Sequence, residues 1–272
     1  MAAALLLPVA LISFAQTLQT PPNPGSLAKG ANLRNPPQTG LPNPAQIAEL
    51  VLANHMLTDE GVIDSYGHVS VRDERNPNHF LLARHLPAGV VVASDILEYD
   101  LDTKPVRETG MVGYSERFIH GEIYKARPDV KAVIHFHAPD IIPFGVTGVP
   151  LRPMIHMAGF LPQVVPIFEI RKYGFKDLLI RSNEAGHALA ETLGDKPTAL
   201  MRGHGAVVVA SSLHIVAGRA YYMMINARTQ LQAMAIGGKD VVYMTEQEAE
   251  TVAAQDGFER AWTLWASKQK AK

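Results

Sequence analysis

The alternation of helical and strand patterns after residue 44 is the feature that most constrains the fold of this chain. Apolar spacing and turn signals predict helices at residues 44–56, 116–126, 139–144, 183–193 and 213–235. Short apolar or alternating runs predict strands at residues 67–72, 80–83, 96–101, 131–137, 154–156, 164–168, 198–201 and 206–210. Helices interleaved with many short strands indicate a layered α/β domain.

The first 44 residues differ in character from the rest. Residues 2–14 are apolar but too few to span a bilayer, which takes roughly 20 residues. Residues 13–15 (Ser-Phe-Ala) are typical of a signal-peptide cleavage site, and residues 20–44 hold too many prolines and glycines for a helix or central strand. We predict a signal peptide at 1–15, a Pro-rich linker or arm at 16–44 and one domain at 45–272, in an exported or periplasmic protein. No lysine or arginine precedes the apolar run, so a cytoplasmic protein is the alternative.

The composition excludes several classes of function. Lysine and arginine total 25 against 26 acidic residues, a net charge of -1, so no basic field favours nucleic-acid binding. The absence of cysteine excludes disulfides, thiolate metal sites, iron–sulfur clusters and a cysteine nucleophile. Because the chain has 11 histidines, any transition metal is expected to be bound by imidazole and carboxylate groups.

Three histidines and a glutamate form the candidate site. His135 and His137 lie two residues apart on a predicted strand, so both imidazoles point to one face and can reach one ion. His204 lies between two glycines at a predicted turn, and Glu116 begins a predicted helix after Ser115, its expected N-cap. Taken singly, His204 is equally a surface turn histidine, and Glu116 is a charge placed favourably at a helix N-terminus.

The candidate residues belong to a longer pattern. Residues 116–137 contain a glutamate on a helix, an R-P-D turn and a strand ending in H-x-H, and residues 202–205 read R-G-H-G. Together with the strand G-H-V-S-V-R at 67–72, this pattern resembles the class II aldolase/adducin family from about residue 45 to about residue 235. The resemblance implies a three-layer α/β/α domain with a central, mostly antiparallel sheet. It also implies a homo-oligomer, commonly a tetramer, with active sites between subunits.

The resemblance further implies a metal centre. His135, His137 and His204 are expected to bind one divalent ion, with Glu116 as a fourth ligand or as the general acid/base. Three imidazoles leave an open position on a tetrahedral zinc ion, and manganese, iron and cobalt are alternatives. Such an ion stabilises the enolate left when a carbon–carbon bond breaks, which predicts a metal-dependent lyase. Aldol cleavage, decarboxylation and epimerisation share that enolate, so the metal site leaves the reaction open.

Several residues differ from the pattern of the family members that act on sugar phosphates, and these differences restrict the expected class of substrate. His68 stands where those members carry asparagine, and residues 83–87 replace a Thr-Gly turn. Tyr114 and Ser115 replace a pair of small hydroxyl residues, and His156 replaces a tyrosine acid. These differences favour a decarboxylase of hydroxylated aromatic or keto acids over a sugar-phosphate aldolase.

In this interpretation the substrate is an organic acid. Arg84, with His68 or His85, is expected to bind its carboxylate, because a guanidinium pairs well with a planar carboxylate. Glu116 or His156 is expected to protonate the carbanion. The residues expected to contact the substrate are Gly67, His68, Arg84, His85 and Ser115.

Two possible roles remain for each of two further side chains, and several functions remain possible for the protein. Tyr221 is either an acid supplied at a subunit interface or part of the core, and His120 is either a partner of the site or a solvated helix histidine. The functional alternatives are an aldolase or epimerase of hydroxy-carbonyl or sugar substrates, a non-catalytic adducin-like binding module and a passive metal-binding protein. We expect a small-molecule substrate, no nucleic-acid partner and no membrane span after processing.

Overall fold

A computed structural model of the chain describes residues 40–254 and 257–271. The predicted signal peptide and most of the predicted linker lie outside the described residues, so both stay predictions. The first helix, α1, spans Pro44–Asp59. The side chain of Asn43 accepts a hydrogen bond from the amide of Ala45, and Pro44 lies in the first turn; both features favour a helix start.

A seven-stranded sheet forms the centre of the described chain. Its strands are β1 (His68–Arg72), β2 (His79–Ala83), β3 (Ile96–Asp100), β4 (Ala132–Phe136), β5 (Ile167–Phe168), β6 (Thr198–Met201) and β7 (Gly205–Ala210). The order is β3-β2-β1-β4-β7-β6-β5, and each neighbouring pair is antiparallel except β5 with β6. The expected mostly antiparallel sheet is confirmed, and the parallel pair makes it a mixed sheet.

Helices cover both faces of this sheet. Those after α1 are α2 (Arg117–Ala126), α3 (Ile142–Val146), α4 (Asn183–Leu193), α5 (Leu213–Gly237), α6 (Glu246–Ala253) and α7 (Glu259–Lys270). One hydrophobic core packs α1, α5 and α7 on the sheet, and a second packs α2 and α4 on the opposite face. The expected three-layer architecture is therefore confirmed. None of the described helices combines the length and the apolar character needed to cross a membrane.

Strand β1 sorts its side chains between the two faces by simple alternation. Val69 and Val71 belong to the core shared with α1 and α5. The residues that alternate with them therefore point to the other face, toward α2; these are His68, Ser70 and Arg72. All five residues are buried, so β1 carries a buried polar row along the side of the sheet that faces α2.

Three local predictions need correction. Residues 154–156 do not form a strand, because the amides of Met154 and Ile155 donate to the side-chain oxygen of Asn226 on α5 at 2.8 and 3.2 Å instead of to a strand. Strand β5 has only two residues, since it directly follows a proline, which has no amide hydrogen to donate. Ser115 is not the N-cap of α2: Glu116 occupies that position and makes no capping hydrogen bond with its side chain.

Candidate metal centre and adjoining cavity

The four predicted ligands come from three separate parts of the fold. His135 lies near the end of β4 and His137 directly follows it, so both point to the sheet face that α2 covers. His204 lies in the turn between β6 and β7, and Glu116 directly precedes α2. The antiparallel pairing of β4 with β7 brings that turn beside the end of β4.

The turn around His204 depends on its two glycines. Gly203 has a φ of 64°, in the left-handed region that favours glycine. A Cβ atom on Gly205 would lie 2.2 Å from the carbonyl oxygen of Phe136, so a side chain there would push β7 away from β4. The glycines thus keep His204 within reach of His135, as the sequence pattern predicted.

Side-chain atoms of the four residues converge on one point. One potential ligand atom from each of Glu116, His135, His137 and His204 lies within 4.8 Å of the other three. The Nε2 atoms of His135 and His137 are 2.9 Å apart. Oε2 of Glu116 lies 3.5 Å from Nε2 of His204 and 3.8 Å from Nε2 of His135. The donor set is the imidazole-and-carboxylate type expected of a chain without cysteine.

The second ring nitrogen of each histidine decides which atom faces the cluster. Nδ1 of His135 lies 3.1 Å from the carbonyl oxygen of Ala206, and Nδ1 of His204 lies 2.7 Å from that of Leu178. A carbonyl oxygen can only accept, so both Nδ1 atoms carry the ring proton. Both Nε2 atoms therefore present lone pairs to the cluster.

His137 has the same tautomer for a different reason. Its Nδ1 lies 3.0 Å from Oδ1 of Asp64, so it donates to a carboxylate. The Nε2 atoms of His135 and His137 face each other across 2.9 Å, and two lone pairs at this distance are stable only with a proton or a metal cation between them. Outer partners that set the tautomer in this way are typical of histidines that bind metals. The four residues therefore fit a divalent cation.

Glu116 uses its two carboxylate oxygens differently. Oε1 accepts a hydrogen bond from the amide of Ile180 at 2.8 Å, which explains why this carboxylate does not cap α2. Oε2 remains directed at the histidine cluster. Burial lowers the pKa of His135 well below its ordinary value. Its imidazole is therefore neutral, which is the form that binds metals.

A cavity of about 690 Å³ adjoins the cluster. Its polar lining residues are Asp64, Ser65, His68, His85, Ser115, Glu116, His137 and His204, and its apolar or aromatic ones are Tyr66, Leu86, Pro87, Tyr114 and Leu179. None of the described residues that line it is a lysine or an arginine. This volume is typical of small-molecule sites.

Of the residues predicted to contact the substrate, His68, His85 and Ser115 line this cavity. Gly67 does not line it. The amide of Gly67 instead donates to Oδ1 of Asp64 at 2.9 Å, so it supports the carboxylate that holds His137.

The structure corrects the expectation that Arg84 lies in the pocket. Nε of Arg84 is 2.7 Å from Oδ1 of Asp95, and Arg84 does not line the cavity. Oδ2 of the same aspartate accepts from the amide of Val92 at 3.0 Å. Nε of the guanidinium is therefore paired within the chain, and Arg84 lies outside the residues that line the cavity.

His156 and Tyr221 also lie away from the cluster within this chain. His156 lines a second cavity, beside α6, because Asn226 draws the residues before it toward α5. The ring of Tyr221 packs against those of Tyr222 and Trp265, with centroids 5.1 and 5.0 Å apart. This is the core-packing alternative for Tyr221. The expectation that His156 acts in this chain's cavity therefore needs correction, whereas a role of Tyr221 at a subunit interface stays a prediction.

Sequence reasoning missed Asp64. Its Oδ1 accepts from the amides of Tyr66 and Gly67, each at 2.9 Å, and from Nδ1 of His137. An aspartate shortly before a glycine is a turn signal, which was available in the sequence. Nothing local indicates that this turn residue orients a histidine 73 positions later.

His120 is fully buried, so the solvated alternative for this residue is wrong. Its Nε2 lies 2.7 Å from Nδ1 of the cavity residue His68. Burial lowers the pKa of His120 to about 3. His120 is therefore a neutral partner of a cavity histidine.

Comparison with known proteins agrees with this geometry. The profile of the family described as Class II Aldolase and Adducin N-terminal domain matches residues 48–262. Decarboxylase tropJ of Talaromyces stipitatus is 34% identical over 250 residues, which cover 83% of this chain and 94% of the relative. The 3,4-dihydroxyphthalate decarboxylase of Arthrobacter keyseri is 29% identical over 231 residues, which cover 78% and 89% of the two chains.

The fold agrees as well. The crystal structure of an aldolase II superfamily protein from Pseudomonas syringae matches with a TM-score of 0.69 and 22% identity, over 82% of this chain and 90% of that one. At this identity the similarity concerns the fold alone. Because the family profile covers most of the chain, this protein belongs to the class II aldolase and adducin N-terminal domain family.

Proposed function

We propose that this protein is a divalent-metal-dependent decarboxylase of hydroxylated aromatic acids, with keto acids as the neighbouring substrate class. The observation that carries the proposal is the convergence of ligand atoms from Glu116, His135, His137 and His204 within 4.8 Å of one another, beside a cavity that three of these residues line. The names of the two relatives support decarboxylation over the other reactions of the family.

In this proposal His135, His137 and His204 hold the ion, with Glu116 beside them, and zinc is the first candidate because imidazole ligands suit it. When bound, the ion draws electron density from the substrate oxygens next to the bond that breaks and stabilises the negative charge that develops. The tautomers that Asp64 and the two backbone carbonyls impose keep all three Nε2 atoms ready to bind.

The cavity walls suit a planar ring. Tyr66, Leu86, Pro87, Tyr114 and Leu179 provide apolar and aromatic surface, which excludes water from the ring faces. With no cationic side chain among the described lining residues, the walls offer little to a phosphate dianion. Because a sugar phosphate has no ring face to pack on the apolar and aromatic walls, the lining favours an aromatic acid.

The pairing of Arg84 with Asp95 also suits decarboxylation. The reaction converts an anionic carboxylate into neutral carbon dioxide, so a guanidinium on the leaving group would stabilise the ground state more than the transition state. Without a guanidinium partner, the carboxylate that leaves is not stabilised more in the ground state than in the transition state.

Glu116 is the group proposed to move the proton. Glu116 first takes a proton from a hydroxyl group of the bound substrate. When the bond between ring carbon and carboxyl carbon breaks, the electron pair stays on the ring carbon, which takes that proton from Glu116 as carbon dioxide leaves. Water then supplies the proton that the product phenolate needs. The Glu116 carboxylate lines the cavity, and Ile180 holds its other oxygen. His156 and Tyr221 remain candidates only as residues supplied by a second copy in the proposed homo-oligomer.

The test is a substrate comparison on the full chain loaded with zinc, manganese, iron or cobalt. We expect carbon dioxide release from a hydroxylated aromatic acid such as 3,4-dihydroxyphthalate and no aldol cleavage of sugar phosphates. Aldol cleavage without decarboxylation would transfer the proposal to the aldolase alternative. Bound metal without turnover of any acid would favour a metal-binding protein, and no bound metal would favour the binding module.

A further inference from the structure

A row of four buried polar side chains leads from the cavity into the layer between the sheet and α2. Nδ1 of His68 is 2.7 Å from Nε2 of His120, and Nδ1 of His120 is 2.6 Å from Oγ of Ser70. Oγ of Ser70 is in turn 2.8 Å from the hydroxyl of Tyr124. His68, Ser70, His120 and Tyr124 are each at most 2% exposed. The proposed metal binding and proton transfer do not use this row.

The row has one direction of donation. Burial raises the pKa of the Tyr124 hydroxyl, which therefore keeps its proton and has to donate it. Oγ of Ser70 is the acceptor beside it, so the hydroxyl proton of Ser70 is free to go to Nδ1 of His120. The neutral ring of His120 then carries its single proton on Nε2 and donates it to Nδ1 of His68.

His68 therefore has the opposite tautomer to the three metal-site histidines. Its Nδ1 accepts, so its ring proton lies on Nε2, the nitrogen left for the cavity that His68 lines. In His135, His137 and His204 the proton lies on Nδ1, and Nε2 presents a lone pair. The candidate site thus combines three imidazoles that direct Nε2 at one point with one imidazole that offers an N–H to the cavity.

We propose that His68 donates a hydrogen bond from Nε2–H to an anionic oxygen of the substrate, and that His120, Ser70 and Tyr124 are the positioning residues that impose this tautomer. This inference rests on the proposed function, because carbon–carbon cleavage is what places negative charge on an enolate or phenolate oxygen. A preorganised neutral donor stabilises such a charge and needs no reorientation during the reaction. The substrate class is therefore an acid with an enolisable or phenolic oxygen next to the bond that breaks.

The tautomer itself is the first test, and it requires no substrate. Long-range proton–nitrogen correlation spectra of the zinc-loaded full chain report which ring nitrogen of each histidine is protonated, and His68→Asn assigns the His68 signals. We expect Nε2–H for His68 and Nδ1–H for His135, His137 and His204. A protonated Nδ1 on His68 would overturn the proposal.

The second test removes the donor to His68. In His120→Phe we expect His68 to lose its single tautomer in the same spectra. Catechol, as a phenolic probe, should bind the zinc-loaded variant roughly tenfold or more weakly, since a hydrogen bond to a charged group contributes about 1.5–3 kcal/mol. The metal content should be unchanged. Wild-type catechol affinity would contradict the role of His68, whichever acid the enzyme decarboxylates.

His55→Gln is the matched control for this variant. It alters a partly buried histidine that lies outside the cavity and whose Nε2 is 2.7 Å from the carbonyl oxygen of Val91. We expect it to keep wild-type catechol affinity and the His68 tautomer. If no acid is decarboxylated while the tautomer and the catechol result hold, the proposed reaction fails and the donor role of His68 stands.

Discussion

This protein contains two clusters in which histidine and carboxylate side chains lie close together. The clusters differ in whether arginines neutralise their negative charge. In the cluster of Glu116, His135, His137 and His204, three lone pairs and a carboxylate meet at a cavity. No lysine or arginine lines that cavity in the described part of the chain. This group is short of positive charge and accessible to a small ligand.

The second group consists of Asp73, His79 and Glu98, whose potential ligand atoms are equally close. Here guanidinium groups supply the positive charge: Arg75 pairs with both acids, and Nη2 of Arg107 is 3.0 Å from Oε2 of Glu98. Nδ1 of His79 lies 2.7 Å from Oε1 of Glu98. Proximity of potential ligands is thus not enough to indicate a metal site; the partners of each ligand atom decide.

The largest effect on metal content and activity is expected when histidines are removed from the cluster of Glu116, His135, His137 and His204. In elemental analysis the wild type should bind about one metal ion per chain, and the double variant His135→Ala/His204→Ala should bind none. Loss of a Lewis acid that contributes several kcal/mol should lower the decarboxylation rate roughly a thousandfold or more.

The matched control is His79→Gln in the second group. It should keep both the metal and the rate, because His79 lies in a network that arginines already neutralise. Metal loss in His79→Gln, or a wild-type metal content in the double variant, would reverse the distinction between the two groups.

An intermediate effect is expected from the carboxylate that orients one ligand. Asp64→Asn keeps the shape of the side chain but removes the charge that holds the proton of His137 on Nδ1. Metal affinity, measured by competition with a chelator, should fall roughly 10–100-fold. Asp102→Asn, which alters an exposed aspartate paired with Lys125, should leave it unchanged. Equal affinities in the two variants would show that His137 needs no outer partner.

The smallest effect is expected from Arg84→Gln, because Arg84 is paired like the arginines of the second group. The loss of a partly exposed pair should reduce the free energy of unfolding by about 0.2–1 kcal/mol. Catalytic efficiency should change little. A strong rise in KM at wild-type stability would return Arg84 to the substrate pocket.

The pH dependence of that small effect provides a further check. Hydrogen bonds from the Val92 amide and from Arg84 lower the pKa of Asp95 below its ordinary value of 3.8. The folded state therefore binds the Asp95 proton less tightly than the unfolded state, so this stabilisation is full above pH 3.8 and is lost as the pH falls through the lower folded pKa. Denaturation curves of wild type and Arg84→Gln should converge in acid.

The sequence predicted those parts of the site that local pattern encodes. The H-x-H strand and the glycine-flanked His204 have signatures that follow from strand alternation and from glycine's backbone freedom. Most of the helices and strands that surround them were predicted from apolar spacing and turn residues, which are also local patterns. The resemblance to a known family then joined the separate pieces into one candidate site.

The remaining features depend on partners that are distant in the chain. The pairing of Arg84 with Asp95 requires the antiparallel pairing of β2 with β3, and the burial of His120 requires the packing of α2 on β1. Residues 154–156 have strand-like composition, but Asn226 on α5 binds their amides. Such tertiary contacts override local propensity and leave no periodic trace in the sequence.

The three histidines proposed to bind the metal have outer partners that differ in how easily a mutation removes them. Two of the partners are the backbone carbonyl groups of Ala206 and Leu178, which every amino acid provides. The third is the side chain of Asp64, and almost any amino-acid substitution at this position removes its carboxylate. Evolution can therefore vary positions 178 and 206 within the limits of packing and still keep two ligands oriented. Of the three outer partners, Asp64 is therefore the one most easily lost by mutation, and it belongs to the loop at 64–66 that lines the cavity.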